Sequence, residues 1–398
     1  MTDEEEGYDI ALIGFGNRGK YYLQRFHPDR YGADLSGYAD TMHVVDPVET
    51  RRAEALDFEH GDTTVFVYED AGEVAEEDID IAIDASNYPR RIENLKPFIE
   101  TGSAVLSEKP LSRDLEDSRE LAELAGYNGV ISAVGLNMNQ TPAYLDAIEY
   151  LEENNVAVTG IYIDWFKNRG PRDHPVVEGI LTEIPHQAGL IYPIMREKPD
   201  RVSIGETDFR RSPAVLNPEK YGALPEEEKE RIEFCEDIDI GEGDQHTYWM
   251  LTELNTGISW QSSESTIANI RNSWTTGEEI RTLRISGYEG DIEEGYFNRI
   301  ATTGVDFTSE GKEKAFWVRK GLKNGDPRDK EGELIAERAA EYYGQEYDST
   351  DTLDLQLRKF FESVKYGELH EDLVSFEEGL DVEEMVREIE KEYMNVAE

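Results

Sequence analysis

Cysteine is nearly absent from this chain. Of its 398 residues, only Cys235 carries a thiol. A single thiol excludes a disulfide bond within the chain and any metal site that needs several cysteines. No metal site is predicted, and the chain is long enough for two domains with a large apolar core.

Positive charge is also scarce. The chain has 40 Lys and Arg against 87 Asp and Glu, a net charge of −47, and the acidic residues are spread along its whole length. Such a charge repels nucleic acids and anionic membranes, which argues against a nucleic-acid-binding protein. Acidic composition can accompany disorder, but 38% hydrophobic and 10% aromatic residues in regular patterns argue against it. The composition favours a halophilic protein of the haloarchaeal type, whose carboxylates are screened by concentrated salt.

Long apolar runs are missing. No run approaches the ~20 residues that a membrane-spanning helix needs. The first ten residues, MTDEEEGYDI, lack the basic region and apolar core of a signal peptide. We therefore expect a soluble, cytoplasmic protein with no membrane partner.

A glycine-rich turn near the start of the chain is the most informative motif. The apolar residues 10–13 predict a buried strand, residues 14–19 read GFGNRG, and a helical stretch follows until Pro28. This is the context of dinucleotide binding, because glycines allow a tight turn and close approach of a pyrophosphate, and the helix N-terminus attracts phosphates. Similar turns also occur in α/β proteins that bind no nucleotide. The predicted cofactor contacts are Gly14, Phe15, Gly16, Asn17, Arg18 and Gly19.

Asp46 ends the second predicted strand, residues 42–46, and is the candidate acid for binding ribose hydroxyls. An alternative role is to start the next helix, with Pro47 and Glu49 in its first turn. Both roles can coexist. An acid at this place favours NAD, because it would repel a 2′-phosphate. Arg51 and Arg52 nearby leave NADP as the alternative.

Strands and helices alternate through the first third of the chain. The remaining strands of this region are predicted at residues 64–68, 80–85, 104–106 and 129–134, with helices at 50–58 and 91–100 and one capped by Ser112. This order predicts an α/β Rossmann domain, residues 1–134, with a doubly wound parallel sheet.

Several strands follow one another without helices in the rest of the chain. They are predicted at residues 156–166, 246–254, 258–264, 279–287, 291–301 and 315–319. The pattern predicts a C-terminal α+β domain, residues 135–398, with a largely antiparallel open sheet. Residues 218–244 are read as an acidic surface insertion, and the chain ends in two amphipathic helices, the second with a capping box at Ser375 and Glu378.

Two residues stand out as candidates for chemistry. Lys109 follows a strand in Glu108-Lys109-Pro110, where ligands of open α/β sheets bind, although an isolated lysine is more often a solvated charge. His186 follows Pro185 at a helix start, and it is equally compatible with a surface or core histidine.

Taken together, these features resemble the Gfo/Idh/MocA family, the oxidoreductases related to glucose–fructose oxidoreductase and inositol dehydrogenase. The resemblance rests on GFGNRG at 14–19, VVDP at 44–47, SEKPL at 107–111, GLN at 135–137 and the stretch around 361–379.

The resemblance implies an NAD(P)-dependent enzyme that transfers a hydride between nicotinamide and a sugar, polyol or related small molecule, and a homodimer or homotetramer. It assigns catalysis to Lys109 and His186, with His186 as the acid/base. The implied cofactor contacts, besides the glycine turn and Asp46, are Ser86, Asn87, Glu108 and Lys109. The implied substrate contacts are Lys109, Asn137, Arg169, Thr182, Glu183 and His186.

The chain departs from the family at three places. Thr182 stands where the family commonly has an Asp four residues before the histidine, Asn137-Met138-Asn139 replaces Asn-Arg-Arg, and Ser86-Asn87-Tyr88 replaces Thr-Pro-Asn. Glu183 or Thr182 is expected to take the place of the missing Asp as the residue that orients His186. The altered motif at Thr182 supports an alternative function, a catalytically silent dinucleotide-binding sensor or assembly protein, whereas the presence of both Lys109 and His186 argues against it.

Overall fold

The computed structural model describes the greater part of the chain. The described residues are 7–27, 35–57, 63–86, 90–112, 114–168, 179–195, 201–216, 229, 232, 234, 246–261, 265–289, 298–307, 315–320, 333–346 and 351–397. They form two compact units. The first comprises Met1–Pro142 with Gly344–Glu384, and the second Ala143–Tyr343 with Met385–Glu398.

The first unit contains a six-stranded, fully parallel sheet. Its strands, β1 to β6, are Tyr8–Ile13, Ala39–Val45, Thr64–Tyr68, Ile81–Asp84, Ala104–Glu108 and Ser132–Gly135. Their spatial order is β3-β2-β1-β4-β5-β6. All four residues of β4 and all five of β5 are buried, as expected for strands covered on both faces. The predicted Rossmann sheet is confirmed.

Helices alternate with these strands. They are α1 (Asn17–Gln24), α2 (Glu49–Asp57), the single turn α3 (Ala71–Val74), α4 (Arg91–Thr101) and α5 (Leu115–Asn128). The predicted cap of α5 was wrong by two residues. Asp114 caps it by accepting the amide N–H of Glu116 at 2.9 Å, while the Ser112 hydroxyl oxygen accepts the N–H of Asp114 at 3.3 Å.

The second unit is built around one eight-stranded sheet. Strands β7 to β14 are Val156–Asn168, Arg201–Leu216, His246–Gln261, Ser265–Ser273, Thr275–Glu289, Asn298–Asp306, Phe316–Lys320 and Glu333–Arg338. Their order is β14-β13-β12-β11-β7-β10-β9-β8, and only β7 and β10 pair in parallel. Helices α6 (Pro142–Glu153), α7 (Ile184–Met195) and α8 (Ala340–Glu346) accompany the sheet. The largely antiparallel sheet is confirmed.

The predicted strands 246–254 and 258–264 are not separate between residues 254 and 258, because β9 runs without a break from His246 to Gln261. Asn255-Thr256-Gly257 lies inside the continuous strand β9, where its three residues pair with Arg271, Ile270 and Asn269 of β10. Ladder bonds to neighbours on both sides outweigh the local turn preference of this tripeptide. Strands β8, β10 and β14 were not predicted, and the predicted insertion at 218–244 lies almost wholly outside the described residues.

The last two helices are α9 (Thr352–Tyr366) and α10 (Phe376–Ala397). Helix α9 and the first part of α10 belong to the first unit, although the sequence places them in the C-terminal domain. Phe361 of α9 is fully buried, and its ring lies 4.8 Å from Tyr38 and 6.0 Å from Tyr8. The predicted capping box is present, because Glu378 accepts the N–H of Ser375 and donates its own N–H to the Ser375 hydroxyl.

No helix in the described part of the chain is both long and apolar enough to cross a membrane.

Candidate functional site

The predicted cofactor residues of the first unit converge on one edge of its sheet. The glycine turn follows β1, Asp46 follows β2, Ser86 follows β4, and Lys109 follows β5. Parallel strands all end at the same edge, so these residues share it. The strand order reverses between β1 and β4, and the crevice at such a switch point is where open α/β sheets bind ligands.

The glycine turn is shaped as an open cradle. Gly14 has a φ of +87°, and a Cβ there would lie 2.7 Å from the Cα of Ser86. A Cβ on Gly19 would lie 2.0 Å from the carbonyl oxygen of Gly14, so α1 packs against the turn only without a side chain. A Cβ on Gly16, by contrast, would meet no atom within 4 Å. Gly16 is also the N-cap of α1 and contributes no capping side chain. The free space beside an uncapped helix N-terminus fits a pyrophosphate.

Asp46 is tightly engaged with the backbone of the turn. It is 1% exposed. One carboxylate oxygen accepts the N–H of Phe15 at 2.8 Å, and the other accepts the N–H of Val48 at 2.9 Å. Arg51 approaches the first oxygen at 3.4 Å. The bond to Val48 supports a role for Asp46 at the start of α2, although this helix begins at Glu49 rather than at Pro47. The bond to Phe15 fixes the glycine turn.

Glu108 joins the glycine turn to the strand that carries Lys109. Its carboxylate accepts hydrogen bonds from the Arg18 guanidinium and from the Tyr22 hydroxyl, the latter at 2.8 Å. Burial would raise the pKa of Glu108, but Arg18 and the hydrogen bond from Tyr22 outweigh it, and the pKa lies below its ordinary value. Burial and the Glu108 charge raise the pKa of Tyr22. Arg18 is thus bonded to a carboxylate of the protein.

Ser86 is held by a second network. Its N–H donates to Asp84 at 2.7 Å, and Asn94 donates to its hydroxyl at 2.9 Å. Burial raises the pKa of Asp84, against the opposing effects of Arg91 and of these hydrogen bonds. Arg91 donates to the carbonyl oxygens of Ser86, at 3.0 Å, and of Glu108. The segments after β4 and β5 are therefore fixed relative to each other.

The loop after β5 is supported from the C-terminal part of the chain. Lys109 and Pro110 are half-buried, and the N–H of Leu111 donates to the carboxylate of Glu383 on α10. Asn137, a predicted substrate contact, donates to the Thr352 hydroxyl at the start of α9 at 2.6 Å. Its amide nitrogen is therefore bonded within the protein.

The second unit holds the other candidate residues. Thr182 ends a short 3-10 helix, Gly179–Thr182, and His186 lies in the first turn of α7. His186 is half-buried, and its ring is nearly parallel to that of Trp165 with centroids 6.3 Å apart. The backbone N–H of His186 donates to the backbone carbonyl oxygen of Glu183 at 3.0 Å.

Glu183 forms a buried ion pair. The Lys167 ammonium lies 2.7 Å from its carboxylate, and both side chains are about nine-tenths buried. The ammonium also lies 5.9 Å from the centre of the Trp165 ring, on the strand that faces α7. The Glu183 carboxylate thus pairs with Lys167, and the Glu183 backbone carbonyl accepts from the backbone N–H of His186. The role of the Glu183 side chain in orienting His186 stays a prediction.

Sequence reasoning missed Lys167, Arg91 and Glu383. Lys167 carried one usable signal, because it continues the alternation of Ile161, Ile163 and Trp165, which are buried along one face of β7. Arg91 and Glu383 each looked like one charge among many on a helix. Two other predicted residues, Asn87 and Arg169, lie outside the described residues. The described part of the chain gathers no group of three residues able to hold a metal ion.

Comparison with known proteins decides the nature of the first unit. Residues 8–136 match the Gfo/Idh/MocA family model, an oxidoreductase family with an NAD-binding Rossmann fold. These residues form an NAD-binding Rossmann domain. The match covers the glycine turn, Asp46, Ser86 and Lys109. No curated protein sequence matches the chain.

Solved structures share the fold over nearly the whole chain. GenD2 from gentamicin A biosynthesis, solved in complex with NAD, is 18% identical with a TM-score of 0.62 over 96% of this chain and 93% of its own. UDP-N-acetylglucosamine 3-dehydrogenase GnnA from Acidithiobacillus ferrooxidans is 13% identical, with a TM-score of 0.60 over 96% of both chains. A myo-inositol dehydrogenase from Corynebacterium glutamicum is 16% identical, with a TM-score of 0.59 over 96% of this chain and 95% of its own.

Proposed function

We propose that the protein is an NAD-dependent dehydrogenase that transfers a hydride between nicotinamide and a CH–OH carbon of a sugar, polyol or related small molecule. The observation that carries the proposal is the shared sheet edge of an NAD-binding domain, where an open glycine cradle follows β1 and Lys109 follows β5, on the two sides of β4. Proteins of the same fold include an inositol dehydrogenase and a nucleotide-sugar dehydrogenase.

The glycine cradle, Lys109 and His186 have separate roles in the proposed reaction. The cradle from Gly14 to Gly19 holds the pyrophosphate, and NAD, when bound, supplies the hydride acceptor. Lys109 holds the substrate hydroxyl oxygen and favours its alkoxide form. His186 takes the hydroxyl proton, because an unperturbed imidazole pKa of ~6.5 lies near neutrality, whereas that of lysine is ~10.4.

The test is reduction of NAD by the purified protein in molar salt, over a panel of polyols, free sugars and nucleotide sugars. Turnover on at least one member is expected. Binding of NAD by calorimetry without turnover on any member would contradict the proposal.

That contrary result is what the alternative function predicts. A dinucleotide-binding sensor or assembly protein would bind NAD and turn nothing over. Thr182 in place of an Asp favours this alternative, whereas the presence of both Lys109 and His186 argues against it.

A further inference from the structure

The backbone before and after Lys109 is held by two buried charged side chains. On one side, the carbonyl oxygen of Glu108 accepts from Arg91, which is 3% exposed. On the other side, the N–H of Leu111 donates to Glu383, which is 4% exposed and lies 272 residues further along the chain. The backbone of Lys109 is therefore held between two distant anchors.

The second anchor acts just beyond the end of the β5–β6 strand pairing. The pairing of β5 with β6 ends at Glu108 and Gly135. Pro110 has no N–H, so Leu111 offers the first amide donor after Lys109. The N–H of Leu111 is therefore the first amide after Lys109 whose hydrogen bond can fix the chain.

Glu383 satisfies two donors at once. One carboxylate oxygen accepts from Leu111, and the other accepts from the hydroxyl of Ser118 on α5. A buried carboxylate is costly unless hydrogen bonds compensate it, and bonds to a charged acceptor are stronger than neutral ones. The Glu383 carboxylate is thus a buried charge that holds the amide of Leu111 and the hydroxyl of Ser118.

Docking of α10 does not need that carboxylate. Gly379 of the same helix packs so closely that a Cβ would lie 2.4 Å from Val134, and Ser375 pairs with Ala133 in an antiparallel bridge. Phe376 and Val382 are buried as well. These contacts dock α10 through other residues, whereas the Glu383 carboxylate adds hydrogen bonds to Leu111 and Ser118 that an apolar side chain would not make.

We propose that Glu383 is a positioning residue for Lys109: by holding the N–H of Leu111 it fixes the loop from which the Lys109 ammonium reaches the substrate. The inference rests on the proposed function of Lys109. Misplacement of a reacting group by ~1 Å can cost 10²-fold in rate.

The experiment compares Glu383→Leu, Glu383→Gln and Glu383→Asp with Glu377→Leu, a control that removes an exposed carboxylate from the same helix. Glu383→Leu should lower kcat by roughly 10- to 100-fold, leave the Kd for NAD within about twofold, and speed hydrogen exchange of the 109–112 peptide by at least about tenfold. Glu377→Leu should match the wild type in all three measurements.

The conservative variants separate reach from charge. Glutamine keeps an acceptor for Leu111 and can donate to Ser118, whose hydroxyl then turns to the carbonyl oxygen of Asp114 at 3.3 Å. Aspartate keeps the charge but is one methylene too short. We expect Gln to retain more of kcat than Asp, and this order decides the question if Glu383→Leu does not fold.

Two results would overturn the inference. One is an unchanged kcat together with unchanged hydrogen exchange of the 109–112 peptide in Glu383→Leu. The other is a higher kcat in Glu383→Asp than in Glu383→Gln. If the wild type turns over no substrate, the proposed dehydrogenase function fails, and the exchange measurement alone then decides whether Glu383 fixes the loop.

Discussion

At the scale of single residues, His186 is the residue on which the proposed chemistry depends most. Replacing it by Ala should lower turnover by roughly 10²–10⁴-fold, the range for general acid–base groups. The affinity for NAD should stay nearly unchanged, because His186 lies outside the NAD-binding domain. Stopped-flow turnover and calorimetry with NAD provide the two measurements. Lys109→Ala should impair both turnover and substrate binding, and near-normal turnover in both variants would place the chemistry elsewhere.

Asp46 gives a second residue-scale prediction. We expect NAD to bind more tightly than NADP in the same salt, because the Asp46 carboxylate lies at the end of β2 and would repel a 2′-phosphate. Asp46→Asn should reduce the ratio of the affinity for NAD to the affinity for NADP. It should also lower stability by about 1–3 kcal/mol, since an amide nitrogen would face one of the two N–H groups that the carboxylate now accepts.

Calorimetric titration of the wild type and of Asp46→Asn with NAD and with NADP measures the affinities. Thermal unfolding of the same two proteins measures the loss of stability. Arg51→Ala is the matched control, because it removes the neighbouring charge at 3.4 Å and leaves the two backbone hydrogen bonds in place. If NADP binds the wild type at least as tightly as NAD, the assignment is wrong.

The sequence identified residues whose neighbours along the chain define them, and it missed those defined by distant partners. Gly14 and Gly19 were predicted because the strand, turn and helix around them are contiguous. Lys167 and Glu183 are 16 residues apart on a strand and before a helix, and no local pattern announces their pairing at 2.7 Å. The same holds for Glu383 and Leu111.

At the scale of elements, the parallel sheet was predictable and the destination of the last helices was not. Buried strands such as β1 and β4 are continuous apolar runs, so their existence and order along the chain can be inferred from sequence. The apolar stripe of α9 shows that one face is buried, but not against what. Tertiary packing brings that face into the first unit.

Phe361 tests that assignment. Its ring packs with Tyr38, Tyr8 and Phe26 in the core of the first unit. Phe361→Ala should destabilise the protein by about 3–5 kcal/mol, through lost burial and a residual cavity. Tyr366→Ala on the same helix is the control, because Tyr366 is 75% exposed and should change stability by less than about 0.5 kcal/mol. Denaturant midpoints in molar salt give both values, and equal midpoints for the two variants would contradict the packing.

At the scale of the whole molecule, the sheet of the second unit carries a prediction about assembly. Tyr162 and Ile267 are exposed on the same face of β7 and β10, beside the Arg271–Asp164 ion pair. Tyr248 of β9 is 1% exposed within its own unit and is not available for such a contact. We expect a homodimer or homotetramer that covers this face. Light scattering in molar salt should give a multiple of 45.3 kDa, and Ile267→Glu should shift it towards the monomer. A monomeric wild type would remove the idea.

The net charge of −47 leads to the last prediction, that fold and activity depend on salt. Carboxylates spread over the whole chain repel one another in the compact state more than in the extended one. The Debye length is ~3 Å at 1 M salt and ~30 Å at ~10 mM, so dilution restores repulsion between charges on opposite sides of a unit. Dialysis from molar KCl into ~10 mM salt should therefore lower the melting temperature and abolish activity. Sucrose, which strengthens burial without screening charge, is the control and should restore less stability than KCl at equal osmolality. Full activity and an unchanged melting temperature at ~10 mM salt would show that the carboxylates are tolerated without screening, and the halophilic interpretation of the composition would then be wrong.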